Sequence, residues 1–361
     1  TAFPMKKPRV LALGLALALA LSLAGCTNST EPTPTPTAEA TPTPTAEATP
    51  TPSPDPSEDP SAGRTEVNVV MLSGPTGMGA AKLMADNDAG TTALDYHFTV
   101  DPDASTVPAK LTNGAADIAA LPTNVAANLY NKNGGIQMLA LNTLGVLYIL
   151  ENGDSVQSMS DLAGKTLYAP ANTRGANPEY VLNFLLEENG LTPGEDVTIE
   201  WMAADELTAL AGSGDIELCM LPVPAATSVL MKNTDMREAL DLTEEWDRVV
   251  SDGSVLTMGC VVARTEFIEE HPEAVATFLE EYAASIEYVA SNPEESSELV
   301  AQYGITPSAQ VALSAIPQAN LVCITGTDMA ASIQGYYEVL WSADPDSIGG
   351  SIPSDGLYYV P

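Results

Sequence analysis

The sequence predicts an α/β protein built as two lobes of related topology, and three observations carry that prediction. From Glu66 onward, short runs rich in β-branched residues alternate with amphipathic stretches of helical period. Two passages about 100 residues apart read alike, AKLTNGAADIAALPTNVAANLY and TALAGSGDIELCMLPVPAATSVL, each as helix, glycine turn, Asp-Ile, apolar strand, Leu-Pro, helix. The chain beyond Arg64 is also long enough for one large domain or two lobes.

Taken in order, EVNVVML (66–72) is the first strand, and SGPTGMGAAKLMADN turns tightly into a helix behind it. A strand LDYHFTV (94–100), a helix from Val107 to Asn113 and the strand DIAAL (117–121) follow. PTNVAANLYN is helical from Thr123, because proline fits the first turn of a helix, where its missing N–H costs nothing. IQMLALN (136–142) is a strand, and GVLYIL (145–150) continues as a strand. A second set then begins: TLYA, a helix from Asn177 to Asn189, VTIEW (197–201), a helix over 205–212, IELCML (216–221), a helix over 223–232, and MREALDL. LTMGCVVA (256–263) is a long buried strand. From Arg264 the chain is mostly helical, including 272–291 and a last helix near Asp328 to Ala343. In the repeated passages Leu121-Pro122 corresponds to Leu221-Pro222 and Asp117 to Asp215; TGMGAAKLM from Thr76 and TRGANPEYVL from Thr173 form a weaker pair.

Ligands of open α/β sheets sit beyond the carboxyl ends of the strands, where helices begin. Four strand-to-helix turns carry the small, polar or proline residues that suit such a place: Gly74–Gly79, Pro122–Asn124, Asn172–Asn177 and Pro222–Pro224. Glycine lets backbone N–H groups approach a ligand, and a helix N-terminus favours a negative group. The candidate ligand contacts are therefore Pro75, Thr76, Gly77 and Met78 in the first turn and Pro122, Thr123 and Asn124 in the second. The third turn contributes Arg174, Gly175, Ala176 and Asn177, and the fourth Pro222 and Val223. Arg174 would favour a small anion or zwitterion; Tyr148, with Tyr168 and Trp246, would instead offer a ring to a neutral or aromatic solute.

The first 63 residues have a different character. Lys6, Lys7 and Arg9 precede the apolar run Val10–Leu21, which is shorter than the roughly 20 residues a membrane-spanning helix needs, and the segment closes in LSLAGC at Cys26. That order describes an export signal over 1–25. Cys26 resembles the modified cysteine of the bacterial lipoprotein lipobox, which implies a diacylglycerol on its thiol. The following 26–63 tract of Thr, Pro, Ala and Glu has almost no large apolar residue, so it reads as a disordered tether.

The whole chain carries a net charge of −35. Removing the signal, which holds three cations and no acid, leaves ten Lys and Arg against 48 Asp and Glu, a net charge of −38. Such a surface excludes nucleic acid as a partner and repels anionic headgroups, leaving anchoring to the lipid. Beyond Cys26 only Cys219, Cys260 and Cys323 remain, so at most one disulfide can form, and Cys219 and Cys260 lie in apolar runs as small buried hydrophobes. His97 and His271 have no Cys or His partner at metal-ligand spacing, and no HExxH, Walker A or GxSxG pattern occurs. The expectation is a protein without catalytic residues, metal or cofactor.

GPTGMGAAKLM, KLTNGAADIAALPTNVAANLYN, NTLGVLYIL, DLAGKTLYA, GANPEYVLNFLLEENGL and IELCMLPVPAATSVL, in that order over almost all of 66–345, resemble extracellular solute-binding proteins of ABC importers. The group resembled is the nitrate/sulfonate/taurine type, which also holds binders of thiamine pyrimidine precursors. The resemblance implies a type II periplasmic-binding-protein fold, with GVLYIL and LTMGCVVA as two crossing hinge strands. Lobe one would take 65–147 and 258–361, and lobe two 148–257. It further implies a monomer on the outer face of the bacterial cytoplasmic membrane that passes a small-molecule solute to permease and ATPase subunits. A ligand sensor without transport would share the fold. The family also contains a pyrimidine synthase with an active-site histidine and a cysteine-rich motif; CMLPVP (219–224) offers a single cysteine there, which argues against that enzyme.

Overall fold

The structure, a computed structural model, describes residues 62–361. The export signal, Cys26 and nearly all of the tether lie outside the described residues. Eleven strands form two sheets: β1 Glu66–Leu72, β2 Asp95–Asp101, β3 Ile118–Pro122, β4 Ile136–Leu144, β5 Leu147–Glu151, β6 Thr166–Pro170, β7 Thr198–Met202, β8 Leu218–Pro222, β9 Arg237–Asp241, β10 Thr257–Arg264 and β11 Leu321–Ile324. The six-stranded sheet runs β11-β4-β10-β3-β1-β2, and the five-stranded sheet runs β7-β6-β8-β5-β9.

Apart from β11, the two sheets share one plan. In the first, β1 pairs in parallel with β2 and β3, and β10 lies antiparallel between β3 and β4. In the second, β6 pairs in parallel with β7 and β8, and β5 lies antiparallel between β8 and β9. Each sheet thus takes one antiparallel strand from chain that has just crossed from the other. The first crossing is Gly145-Val146, where a Cβ on Gly145 would collide with Thr243 and Leu256. The second runs from the end of β9 through the helix Leu242–Val249 to β10. Strands β3, β5 and β10 are buried on both faces, which is why they read as near-continuous apolar runs.

The repeated passages keep a constant offset. Residues 118–130 and 218–230 show the same order of buried and half-buried positions throughout. Gly114 and Gly214 both turn with positive φ, 80° and 84°. At this offset Asp117 corresponds to Glu217, not to Asp215 as the shared Asp-Ile dipeptide suggests. Asp117 is buried, accepts from the Asn68 amide at 2.9 Å and pairs with Arg264 at 2.7 Å, whereas Asp215 and Glu217 are both exposed.

Most predicted elements fall within two residues of their observed ends. MREALDL supplies edge strand β9, and β5 starts at Leu147 because Gly145-Val146 is the crossing itself. The helical C-terminal part also contains β11, a four-residue edge strand hidden between the helices Ala309–Gln318 and Gly326–Ala343.

Candidate functional site

At the carboxyl end of β1 the chain turns through Gly74 (φ 82°) into the short helix Pro75–Met78. The Gly74 N–H donates to Ile305 O at 2.8 Å, and a Cβ on Gly77 would overlap the Leu72 carbonyl, so only glycine lets the turn fold back on its strand. The Thr76 carbonyl accepts from Asn142 Nδ2 on β4 at 3.2 Å. At the end of β3, Pro122 precedes the helix Thr123–Asn133. Thr123 is fully buried; its hydroxyl donates to Thr257 O at 2.9 Å and its carbonyl accepts from the Tyr337 hydroxyl at 2.7 Å.

In the second lobe, β6 leads through Arg174 and Gly175 to the helix Asn177–Glu188, whose first turn carries Pro178 and Glu179. Val181, Leu182, Leu185 and Leu186 hold its buried face. Asn177 is only 5 % exposed. Its Nδ2 donates to the Tyr336 hydroxyl at 2.7 Å, while its Oδ1 is buried with no hydrogen-bond partner. Neither the Thr123–Asn133 helix nor the Asn177–Glu188 helix has a side-chain cap, so the free N–H groups of their first turns lack a side-chain acceptor.

These turns meet around a cavity of about 250 Å³. The first lobe supplies Pro75, Thr76, Pro122, Asn124, Thr143 and Met258. Ala176, Asn177 and Pro178 come from the second lobe, and Val146 from the crossing between them. No charged side chain lines it. A larger cavity, about 650 Å³, opens along the flanks of helices Asn177–Glu188 and Gly326–Ala343 and presents Glu179, Glu187, Asp252 and Glu338. It lies beside helices rather than at strand ends, so the smaller cavity is the one that has the geometry of an α/β ligand site.

Of the residues the sequence proposed, Pro75, Thr76, Pro122, Asn124, Ala176 and Asn177 line this cavity. Gly77, Met78 and Thr123 are buried behind it as structural support. Gly175 is exposed in the turn and donates its N–H to Glu179 at 3.0 Å. Pro222 and Val223 stand off the lining: Val223 is buried, and its N–H donates to Val146 O at 3.0 Å, tying the fourth turn to the crossing. Arg174 is exposed, off the lining, with its guanidinium 5.8 Å from the centre of the Trp201 ring.

The aromatic candidates are occupied elsewhere. Tyr148 is 3 % exposed and donates its hydroxyl to Gln318 O at 2.5 Å, and burial pushes its phenol above the usual range. Trp246 is fully buried against Phe184 and Tyr336, with Nε1 donating to Ser254 at 3.3 Å; Tyr168 packs half-buried on the core. Sequence reasoning missed Thr143 at the end of β4, Val146 in the first crossing, Met258 at the start of β10 and Pro178 in the first turn of the helix Asn177–Glu188. It also missed Tyr336, which reaches Asn177 from the C-terminal helix. The apolar runs that hold Val146 and Met258 were visible, but not which side chain would face the gap.

The three cysteines are free, and burial raises all three thiols, Cys219 to about 12. The register of β1 and β2 sets Glu66 and Asp95 side by side, with His97 two residues along, and brings the three within cation-holding reach. That group sits at the opposite strand ends from the cavity. Among the described residues, no helix is long and apolar enough to cross a membrane.

A family model described as NMT1/THI5 like matches residues 93–296. No curated protein matches the chain. Among solved structures, an ABC transporter from Parabacteroides distasonis is similar at 22% identity and TM-score 0.67, over 82% of this chain and 99% of that one. The periplasmic aliphatic sulphonate binding protein SsuA from Escherichia coli is similar at 14% identity and TM-score 0.63, over 82% and 92%. The desulfurization enzyme DSZB is similar at 13% identity and TM-score 0.56, over 82% and 97%. These likenesses show the fold, the two-lobed architecture of periplasmic binding proteins.

Proposed function

The chain belongs to the NMT1/THI5-like family, and from that premise we propose that it is the solute-binding receptor of an ABC importer. It captures a small solute between its lobes and delivers it to a permease and ATPase. The observation that carries the reading is a cavity at the strand ends to which both lobes and the crossing segment contribute: Pro75, Thr76 and Asn124 on one wall, Ala176 and Asn177 on the other, Val146 at the seam. A solute there touches both halves at once, so binding favours the arrangement in which they are closed, and rotation falls on the two crossings. The solutes of the family reading are sulfonate-, nitrate- or taurine-like anions and zwitterions, or a thiamine-type pyrimidine precursor. Residues 1–63 complete the proposal as export signal, lipid-modified Cys26 and tether, holding a monomer at the outer face of the cytoplasmic membrane.

An enzyme is the second reading, prompted by the likeness to DSZB. Cysteine chemistry has little support, since Cys219 is buried with its thiol pushed up to about 12 and stays protonated at neutral pH. A sensor without transport shares the geometry, and a permease that the loaded protein stimulates separates receptor from sensor. The direct test is a thermal-shift screen on the folded, signal-free chain. A true solute at 100 times its dissociation constant stabilises the fold by about 2.7 kcal/mol. Absence of any stabilising solute, or turnover of the one found, contradicts the receptor reading.

A further inference from the structure

Resting on the receptor reading, we propose that Gln318 is a built-in clasp: a side chain of lobe one that bonds the helix behind the fourth turn, in lobe two, and holds the lobes together before a solute arrives.

The second copy of the repeat supplies the first argument. At the constant offset, Thr227 stands where the first copy has Ala127. Both are buried, but only Thr227 brings a hydroxyl, and at 1 % exposure that hydroxyl needs a partner within the protein. The partner comes from the opposite lobe: Thr227 Oγ1 donates to Gln318 Oε1 at 2.5 Å. Thr227 lies in the first turn of the helix Ala225–Lys232, just behind Pro222 and Val223, which stand off the cavity lining. Gln318 thus makes, at the fourth turn, a contact between lobes that needs no solute.

The placement of Gln318 is the second argument. It ends the helix Ala309–Gln318, and its backbone carbonyl accepts from the Tyr148 hydroxyl at 2.5 Å. Two residues on, Asn320 has φ 50°, the one positive φ of a non-glycine among the described residues, in a region asparagine tolerates better than most side chains. Its Nδ2 donates to Gly145 O at 2.7 Å in the first crossing and, more weakly, to Thr243 Oγ1 at 3.4 Å in the second. Those two residues touch each other, since a Cβ on Gly145 would fall on the Thr243 hydroxyl. The turn that carries Gln318 is therefore pinned where the crossings meet, the place a hinge rotation moves least. Two further bonds span the lobes, Asn177 to Tyr336 and Tyr180 to Asp344, and neither touches a crossing. On opening, the half-buried Gln318 meets water and Thr227 can turn to a carbonyl of its own helix, so release costs on the order of one hydrogen bond.

The test is the distribution of distances between spin labels at Asn113→Cys and Ser213→Cys, one exposed position on each lobe. It is measured on the solute-free, signal-free chain carrying Cys26→Ser and Cys323→Ser, which leaves only buried native thiols. The parent shows one dominant interlobe distance. Thr227→Val and Gln318→Met each raise the share of a second, open distance about fivefold, and the double variant raises it no further. Thr227→Ser, which keeps the hydroxyl, restores the parent distribution. Circular dichroism verifies folding, and Gln318→Met breaks the same bond from its half-buried side should Thr227→Val not fold. Unchanged distances in the folded variants, or additive effects in the double variant, overturn the clasp and leave the receptor reading standing. That reading fails by a different result, the absence of any stabilising solute.

Discussion

The second and fourth strand-to-helix turns share one burial pattern and do different work. Residues 118–130 and 218–230 run strand, Leu-Pro and helix with the same burial at every position. Yet Pro122 and Asn124 line the cavity, and their counterparts Pro222 and Pro224 do not. Where the first copy has Thr123, bonded to the carbonyl of Thr257, the second has Val223, whose backbone N–H holds the Val146 carbonyl. Burial pattern preserves architecture, while a few polar differences separate the copy that lines the cavity from the copy that braces a crossing.

The largest expected effect breaks the pair at its upstream end. Arg264→Ala strands the buried Asp117 carboxylate and costs about 3 kcal/mol in urea unfolding. Glu217→Ala, at the matching exposed position of the other lobe, changes stability by less than about 0.5 kcal/mol. Equal costs would show that the two copies are braced alike. One step smaller is the swap of turn residues. Thr123→Val leaves the Thr257 carbonyl without its donor, and Val223→Thr buries a hydroxyl with none prepared for it, so each loses about 1–2 kcal/mol. A neutral Val223→Thr would mean the fourth turn retains polar capacity the structure does not reveal.

The smallest effect is in pH dependence. Burial pushes the Asp241 and Glu245 carboxyls up, with Glu244 adding repulsion, while the Arg248 guanidinium partly offsets the rise at Glu245. In the first lobe the Thr106 hydroxyl, then Lys110, hold Asp101 down at about 2. A raised carboxyl stabilises the fold fully below its ordinary value and loses that contribution as pH rises through the raised one. Asp101 does the reverse, stabilising above its ordinary value of 3.8 and losing that as pH falls toward about 2. Glu245→Gln therefore raises the melting temperature at pH 7, by less than about 1 kcal/mol of stability, and the gain vanishes below the ordinary carboxylate value of 4.5. A gain that persists at pH 3 would contradict this assignment.

Periodicity and turn chemistry placed nearly every strand and helix, and three of the four turns proposed as cavity walls do form them. What stayed illegible is tertiary. Arg174 sits in one of those turns, but which way its long side chain swings depends on Trp201 in another strand. Tyr148 looked available because a strand does not disclose that its hydroxyl meets Gln318 from a distant helix. β11 is too short to show a period, and the partner of Asn177, Tyr336, is 159 residues away in sequence.

Amide hydrogen exchange with and without a bound solute tests the central claim most directly. The account predicts slowed exchange in 76–79, 123–126 and 176–180, with the turn at 223–226 unchanged. Protection confined to that fourth turn, or to the acidic groove along 179–187 and 335–343, would contradict it.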